Sequence, residues 1–150
     1  MTKHERIVSA EERFTTALHG AYRAWRTALD KRMKDLGISQ AGWVAVAYIA
    51  KADGKPLSQS ELAGLVQVEA ATMVSTLDRL ETAGLVSRTP SDTDRRVKHV
   101  TLTAEGEAMY HQVKDKADGV RADLIGQLDT EKLVQATELL IQLQNLVETF

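Results

Sequence analysis

With 150 residues, 43% of them hydrophobic and 27% charged, the chain suits a folded domain with an appended oligomerisation element and excludes disorder. It contains no apolar run near the roughly 20 residues that cross a bilayer and no signal-peptide pattern after Met1, so we expect a cytoplasmic protein without membrane contact. It contains no cysteine, so we expect neither a disulfide nor a thiolate metal site. The net charge of −2 is uneven: residues 1–103 hold 15 Lys and Arg against 12 Asp and Glu, residues 104–150 hold 4 against 9, and this permits DNA binding by the first part.

Helical signals dominate the first half of the chain. A capping box at residues 9–12 and apolar residues at three- or four-residue spacing predict a helix of about 25 residues that ends at Gly37. A second helix is predicted from Ser39 to Asp53. A second capping box then opens a short helix, Gln59 to Leu65, and a three-residue turn leads to another helix at residues 69–83. Two helices joined in this way match the helix-turn-helix motif.

The second half begins with a predicted hairpin and returns to helices. Two β-prone runs, residues 85–90 and 97–102, flank a polar segment, as in a hairpin with a mobile tip. Thr103 begins a helix that could reach Leu128, and Asp129 begins the last one. We therefore predict a mainly α fold with a small β-hairpin (α+β): a winged helix-turn-helix at residues 38–103, and a helical dimerisation region formed by residues 1–37 and 104–150.

The helix at residues 69–83 separates into two faces. Apolar spacing predicts five buried positions: Ala70, Met73, Val74, Leu77 and Leu80. The opposite face carries Thr72, Ser75, Thr76 and Arg79. Such side chains near a helix start can enter a major groove and meet base edges and phosphates. The same pattern suits an ordinary amphipathic helix, but the capped helix before it and the hairpin after it favour DNA.

The predicted hairpin concentrates positive charge. Its basic side chains are Arg88, Arg95, Arg96 and Lys98. Arginines on a thin strand loop can enter a narrow minor groove, where A·T-rich sequence deepens the negative potential. We expect Asp94 to stabilise the tip by pairing with a nearby arginine. A solvated charged turn is the alternative interpretation.

Leu57 to Gly106 resembles the winged helix-turn-helix of the MarR family. The resemblance rests on Leu-Asp-Arg-Leu-Glu-Thr-Ala-Gly-Leu-Val at residues 77–86, on Asp94-Arg95-Arg96, and on Leu-Thr-Ala-Glu-Gly at residues 102–106. Residues 25–32 and 39–43 are similar to the SlyA-type subgroup.

This resemblance implies roles for individual residues. It implies that Arg96 enters the minor groove and that Arg95 contacts the backbone nearby. The helix positions that match those facing the major groove are Ala71, Thr72, Ser75 and Thr76. We add Ser58 and Gln59, at the start of the preceding helix, to the expected DNA-binding residues. Ser75 departs from the pattern, because SlyA-type proteins often carry an arginine there, and this leaves the preferred site open.

The first and last helices carry more apolar surface than a winged domain can cover. Leu139, Leu143, Leu146 and Phe150 form one row of the last helix, and Leu133, Leu140 and Val147 form another. The resemblance implies that these helices, with Phe14 of the first, intertwine across a two-fold axis. A monomeric bundle is the alternative. A two-fold dimer presents two recognition helices about one DNA turn apart, so we expect the site to be an inverted repeat.

Aromatic and basic residues coincide on the first helix. Tyr22, Arg23, Trp25 and Arg26 lie within one stretch, and Trp43 opens the next helix. Rings beside an arginine suit an aromatic anion, and the resemblance implies that Arg23, Arg26 and Trp43 line a salicylate-type pocket. A small phenolic or aromatic carboxylate would then release the DNA. Core packing, with Arg26 paired to Asp30, is an equally open interpretation.

The sequence disfavours an enzyme. It has no glycine-rich phosphate loop or nucleophile motif, and its four histidines lack metal-ligand spacing, so we expect no catalytic residues, cofactor or metal. We expect a homodimeric, sequence-specific DNA-binding transcriptional regulator that binds an A·T-rich inverted repeat, with repression implied by the resemblance. The competing interpretation is a winged-helix module that binds another protein instead of DNA.

Overall fold

The computed structural model describes residues 8–150, and the expectation about a signal peptide falls on residues outside this range. The chain divides into two compact units, one that ends at Lys116 and one formed by Ala117–Phe150. The predicted fold class, mainly α with a small antiparallel sheet, is confirmed. Within residues 8–150, none of the helices combines the length and the apolar character that a bilayer crossing needs.

Two capped helices open the first unit. Helix α1 (Ala10–Met33) begins at Ser9, whose Oγ accepts a hydrogen bond from the Glu12 amide at 3.1 Å. A 3-10 turn follows, and Gly37 takes the left-handed conformation with φ of 72°. Helix α2 (Gln40–Lys51) begins at Ser39 with the same side-chain cap. Both predicted starts are confirmed, because these caps are local interactions that a sequence displays directly.

The helix-turn-helix follows α2. Helix α3 (Gln59–Val66) and helix α4 (Ala70–Thr82) are joined by a short turn in which Gln67 adopts φ of 62°, an uncommon conformation for a residue other than glycine. The amides of Gln67 and Val68 donate to carbonyls at the end of α3, so the turn is closed by its own backbone. The predicted pair of helices is confirmed to within about one residue at each end.

The sheet has three strands instead of the two predicted. Strands β2 (Val86–Pro90) and β3 (Lys98–Leu102) form the predicted hairpin. Strand β1 (Leu57–Ser58) adds to the other edge of β3, with Leu57 opposite Val100, and gives the order β1-β3-β2. Two residues are too few to show an alternating pattern, so β1 was not predicted.

The core of the first unit lies where α2 packs against α1, α3, α4 and β3. Its most deeply buried side chains come from each of these elements: Met33, Val46, Leu62, Met73, Leu77 and Val100. Burying one such side chain contributes about 1.5–3 kcal/mol. This core holds α4 by one face and leaves its other face open to solvent.

The second unit is helical and exposes many apolar side chains. Helix α5 (Ala104–Leu124) begins in the first unit and continues into the second, and a 3-10 turn leads to helix α6 (Thr130–Glu148). No residue of α6 is buried in the single chain. Its exposed apolar side chains are Val134, Leu139, Leu140, Ile141, Leu146 and Val147, with Phe150 just beyond its end.

The start of α5 is hydrogen-bonded to the segment that follows α4. The Thr103 hydroxyl donates to the Gly84 carbonyl at 2.5 Å and accepts from the Gly106 amide at 3.1 Å. Gly106 lies so close to this segment that a Cβ added to it would stand 2.0 Å from the carbonyl oxygen of Leu85. The position therefore has no room for a side chain.

We expect Gly106→Ala to lower the free energy of unfolding by about 1–3 kcal/mol, because either α5 or the backbone at Leu85 must move. Urea denaturation followed by circular dichroism measures the change. Gly64→Ala is the matched control: a Cβ at Gly64 meets no heavy atom within 4 Å, so this variant should match or exceed wild-type stability. Equal stability of the two variants would contradict the close packing of Gly106 against the Leu85 carbonyl.

Candidate nucleic-acid interface

Helix α4 presents an open face of small side chains. The exposed residues of its first two turns are Ala70, Ala71, Thr72, Val74 and Ser75. Arg79 is exposed one turn later, and its Nη2 donates to the Ser75 Oγ at 3.1 Å. Three of the residues expected on the polar face, Thr72, Ser75 and Arg79, therefore lie together on the surface.

The predicted faces of α4 are wrong at three positions. Thr76 is buried, and its hydroxyl donates to the Thr72 carbonyl at 2.8 Å, so it is not available to DNA as expected. Val74 and Ala70 are exposed although the apolar spacing placed them in the core. The buried sector is rotated toward Thr76, and a threonine tolerates that burial because its hydroxyl bonds within its own helix.

Two expected DNA contacts at the start of α3 have intramolecular roles. Ser58 is buried, and its Oγ caps α3 by accepting from the Glu61 amide at 3.0 Å. The Gln59 Oε1 accepts from the Arg88 Nη1 at 3.1 Å. The side chains of these residues support the helix start and the neighbouring strand.

Arg88 is the centre of an ion cluster that joins α3, α4 and β2. Besides its bond to Gln59, its guanidinium contacts the Asp78 Oδ1 at 2.6 Å and the Glu81 Oε2 at 3.2 Å. The hydrogen bond from Arg88 holds the pKa of Glu81 below its ordinary value, and the bonds to Glu81 and then Asp78 raise the pKa of Arg88. With 17% of its side chain exposed, Arg88 serves this cluster and is less available to DNA than predicted.

The tip of the hairpin is ordered by Asp94. Its carboxylate accepts three bonds from Arg96: from the backbone amide at 3.0 Å, from Nε at 3.1 Å and from Nη2 at 3.2 Å. These bonds lower the pKa of Asp94. The Arg96 side chain is nevertheless 91% exposed, so the pair orients a cation that projects into solvent. Arg95 and Lys98 are exposed beside it.

A groove separates α4 from the hairpin. Its volume is about 280 Å³, and it is lined by Ser58, Gln59, Ser60, Ala70, Val74, Arg96, Val97 and Lys98. The α4 wall is apolar, the hairpin wall contains two cations and Val97, and residues 58–60 at the start of α3 form a third, polar side. This juxtaposition was not predicted, because the apolar spacing of α4 had placed Ala70 and Val74 in the core.

A second cavity lies between α1 and the helix-turn-helix. It measures about 410 Å³, and its lining residues are Tyr22, Arg23, Arg26, Thr27, Asp30, Gln40, Ala41, Val66, Gln67 and Val68. The Arg26 guanidinium lies 5.9 Å from the ring centre of Tyr22 and 5.4 Å from that of Trp43. Three of the four expected ligand residues line this cavity, together with the turn between α3 and α4, which no sequence signal had pointed to.

Trp43, the fourth expected ligand residue, is buried and lies outside this lining. Its indole nitrogen donates to the Asp30 Oδ1 at 3.0 Å, and the Gln40 Nε2 donates to the Asp30 Oδ2 at 2.5 Å. Asp30 is thus bonded to Trp43 and Gln40, and no ion pair links it to Arg26 in the described part of the chain. The alternative pairing of Arg26 with Asp30 is therefore wrong. Trp43, although buried, lines another cavity of about 210 Å³ together with Tyr22, Trp25 and Arg26.

The residues expected to form the dimer interface are accessible to solvent in the single chain. Leu139, Leu146 and Phe150 are exposed, and Phe14, Leu133 and Leu143 are partly exposed. Across residues 8–150, no group of three His, Asp or Glu side chains is placed to hold a metal ion.

A helix-turn-helix followed by an antiparallel hairpin with exposed arginines defines the class of winged helix-turn-helix proteins. Within this class, the MarR family model matches residues 39–98. The chain is also 34% identical to the transcriptional regulator PA3341, with a TM-score of 0.82 over 91% of this chain and 99% of that one. The chain belongs to the MarR family, whose members are transcriptional regulators and not enzymes.

Two further solved structures are similar. NadR, crystallised in complex with 4-hydroxyphenylacetate, is 26% identical with a TM-score of 0.74, and the match covers 95% of this chain and 97% of that chain. Wild-type MarR from E. coli in its apo form is 22% identical, with a TM-score of 0.75 over 86% and 95% of the two chains, and shares the fold.

Replacing Arg88 tests the ion cluster. We expect Arg88→Ala to lower the free energy of unfolding by about 1–2 kcal/mol, because it removes bonds to two partly exposed carboxylates and leaves their charges adjacent. Urea denaturation measures this. Arg95→Ala removes the same charge from an exposed position and should leave stability unchanged. An equal effect of the two substitutions would reject the cluster as a stabilising element.

The same variant has a pH signature. The pKa of the Glu81 carboxyl is lower in the folded chain than in the unfolded chain, so the unfolded chain protonates Glu81 first as the pH falls. The stabilisation is therefore present above the ordinary carboxyl pKa and is lost as the pH falls through the folded value. Between about pH 5 and pH 3, wild-type stability should decrease more steeply than that of Arg88→Ala.

Proposed function

We propose that the protein is a homodimeric, sequence-specific DNA-binding transcriptional regulator that represses by occupying an A·T-rich inverted repeat. The observation that carries the proposal is the exposed Arg96, held at the hairpin tip by Asp94, beside the open face of α4. An oriented guanidinium on a thin hairpin suits a narrow minor groove, and a helix with small exposed side chains suits the adjacent major groove.

The charge distribution supports DNA over a protein partner. The basic residues Arg79, Arg95, Arg96 and Lys98 are exposed on α4 and the hairpin, whereas the acidic Asp78 and Glu81 of α4 are paired with Arg88. The chain's overall charge of −2 therefore does not describe this surface. Phosphates respond to the local field, which is basic at the hairpin.

The dimer is supported by the apolar face of α6. Leu139, Leu146 and Phe150 are more than half exposed in the single chain, and leaving such side chains in water forgoes the stabilisation that their burial provides. We propose that residues 1–37 and 104–150 supply the dimerisation region, with Phe14, Leu133 and Leu143 in the same interface, and residues 38–103 the DNA-binding domain. Residues 25–32 and 39–43 favour the SlyA-type subgroup.

The decisive experiment is selection of bound sequences from random duplexes of about 30 base pairs, followed by affinity measurements on the best duplex. We expect an A·T-rich inverted repeat, and a loss of affinity of at least about tenfold for Arg96→Ala. Lowering the salt concentration should strengthen binding steeply, since each neutralised phosphate contributes to the salt dependence.

Arg121→Ala is the matched control for Arg96→Ala. Arg121 is also an exposed arginine paired with a nearby aspartate, Asp118, but it lies on α5 in the other unit. The control should bind DNA nearly as wild type does. Equal losses for the two variants would mean that overall charge, and not the hairpin tip, determines affinity. No enriched duplex would favour a protein partner.

We further propose that a small phenolic or aromatic carboxylate binds in the 410 Å³ cavity and releases the DNA. Arg26 is supported by the Tyr22 and Trp43 rings, within the distance at which a cation is attracted to a ring face, so it is already positioned to bind a carboxylate. Gln67 and Val68 of the α3–α4 turn line the same cavity, so a ligand there would touch the segment that positions α4. The related NadR was crystallised with 4-hydroxyphenylacetate.

Ligand binding should be visible without DNA. We expect salicylate or 4-hydroxyphenylacetate at about 1 mM to raise the thermal midpoint of the wild type and to weaken DNA binding. Arg26→Ala should abolish both effects, whereas Lys31→Ala, which removes a charge from an exposed position on α1 outside the cavity, should retain them. If neither compound alters the midpoint or the affinity, this class of effector is rejected.

A further inference from the structure

We propose that α4 reads its half-site through the 5-methyl groups of thymine, with Val74 as the specificity-determining residue and Ala70 and Ala71 beside it. This inference rests on the proposed DNA-binding function and specifies what the major-groove helix recognises. It concerns the apolar part of the exposed α4 surface, which the sequence pattern had assigned to the core.

The first two turns of α4 expose no side chain that can read a base with two hydrogen bonds. Among the exposed residues of the first two turns, three are apolar and two carry hydroxyls, and none has an amide, a guanidinium or an ammonium group. Bidentate recognition of guanine needs Arg or Lys, and that of adenine needs Asn or Gln. These turns can therefore offer base edges single hydroxyl bonds and apolar contacts. The thymine methyl is the apolar group that the major-groove edge displays.

Val74 is an apolar residue on the surface of α4. This β-branched side chain is 40% exposed, while Thr76 of the same helix is buried at 4%. The helix thus keeps an apolar group accessible at its surface and buries a hydroxyl that bonds within the helix. Valine is also a weak helix former, so an exposed valine brings α4 no local advantage. The arrangement is explained if a bound partner covers Val74.

Val74 also lies across a groove from the hairpin. Val74 and Ala70 line the same groove as Arg96 and Lys98. If the hairpin occupies a minor groove and α4 the adjacent major groove, the sugar–phosphate strand between those grooves lies along this groove of the protein. The basic wall then faces phosphates, and the apolar wall faces the base edges nearest to that strand.

Arg79 is the competing reader of bases. It could leave the Ser75 hydroxyl and contact a guanine bidentately. That alternative predicts an essential G·C pair and no role for methyl groups. The two possibilities therefore make opposite predictions for a duplex in which only methyl groups are removed.

The test replaces single thymines in the selected duplex by deoxyuridine, which removes the methyl and preserves base pairing. We expect one or two positions in each half-site to weaken wild-type binding about threefold to tenfold, the scale of one or two buried methyl groups. Val74→Ala should bind the thymine duplex more weakly and should no longer distinguish thymine from uracil at those positions. Val74→Thr, which keeps one methyl group, should have an affinity and a preference for thymine between those of the wild type and those of Val74→Ala.

Leu65→Ala is the control, since Leu65 is an exposed apolar residue of α3 that lies outside the groove. It should retain the full difference between thymine and uracil. If no replacement of thymine by uracil lowers the affinity of the wild type, while Arg96→Ala still lowers the affinity for the thymine duplex, methyl recognition is wrong and the DNA-binding function stands. If the uracil effect persists unchanged in Val74→Ala, the assignment to Val74 is wrong. Failure to select any duplex would overturn the DNA-binding function and this inference together.

Discussion

The arrangement of α3, α4 and the hairpin depends first on one guanidinium, that of Arg88. Arg88 of β2 contacts Gln59 at the start of α3 and both Asp78 and Glu81 of α4, so a single side chain joins the two helices of the motif to the hairpin. Without this cation, the Asp78 and Glu81 carboxylates of α4 would lose the arginine that offsets their negative charges. The cluster links α4 to the sheet and to the start of α3, and it offsets two negative charges on the helix that we propose to bind DNA.

Local interactions explain how much of the fold the sequence predicts. Ser9, Ser39 and Asp129 cap the helices that follow them, and such caps involve residues only three positions apart, so they are visible as short motifs. The hairpin and the short turn before α4 are local in the same sense. The two-residue β1 was missed, because its only evidence is its partner strand, more than forty residues away.

The errors at the site have a tertiary origin. Spacing alone identifies the apolar positions of α4 but not the angle at which neighbouring elements meet it, and a small rotation exchanges Thr76 for Val74 in the core. The bonds that Arg88 makes to Gln59, Asp78 and Glu81 were not predicted either, because they join three separate elements and no spacing displays them. The bond from the Trp43 indole nitrogen to Asp30 was likewise not visible in the sequence, because it joins α2 to α1. In each case the missing information was a contact between segments distant in sequence.

The border between the two units falls inside α5, between Lys116 and Ala117, where the backbone is continuous helix. Domains joined by a flexible linker can be exchanged between proteins, because recombination in the linker disturbs neither fold. Here a crossover at the border would have to splice two half-helices in register, since a one-residue insertion turns everything beyond it by about 100°. The winged unit and its helical extension are therefore expected to be inherited as one piece, and diversity in this architecture should arise by substitution rather than by domain shuffling.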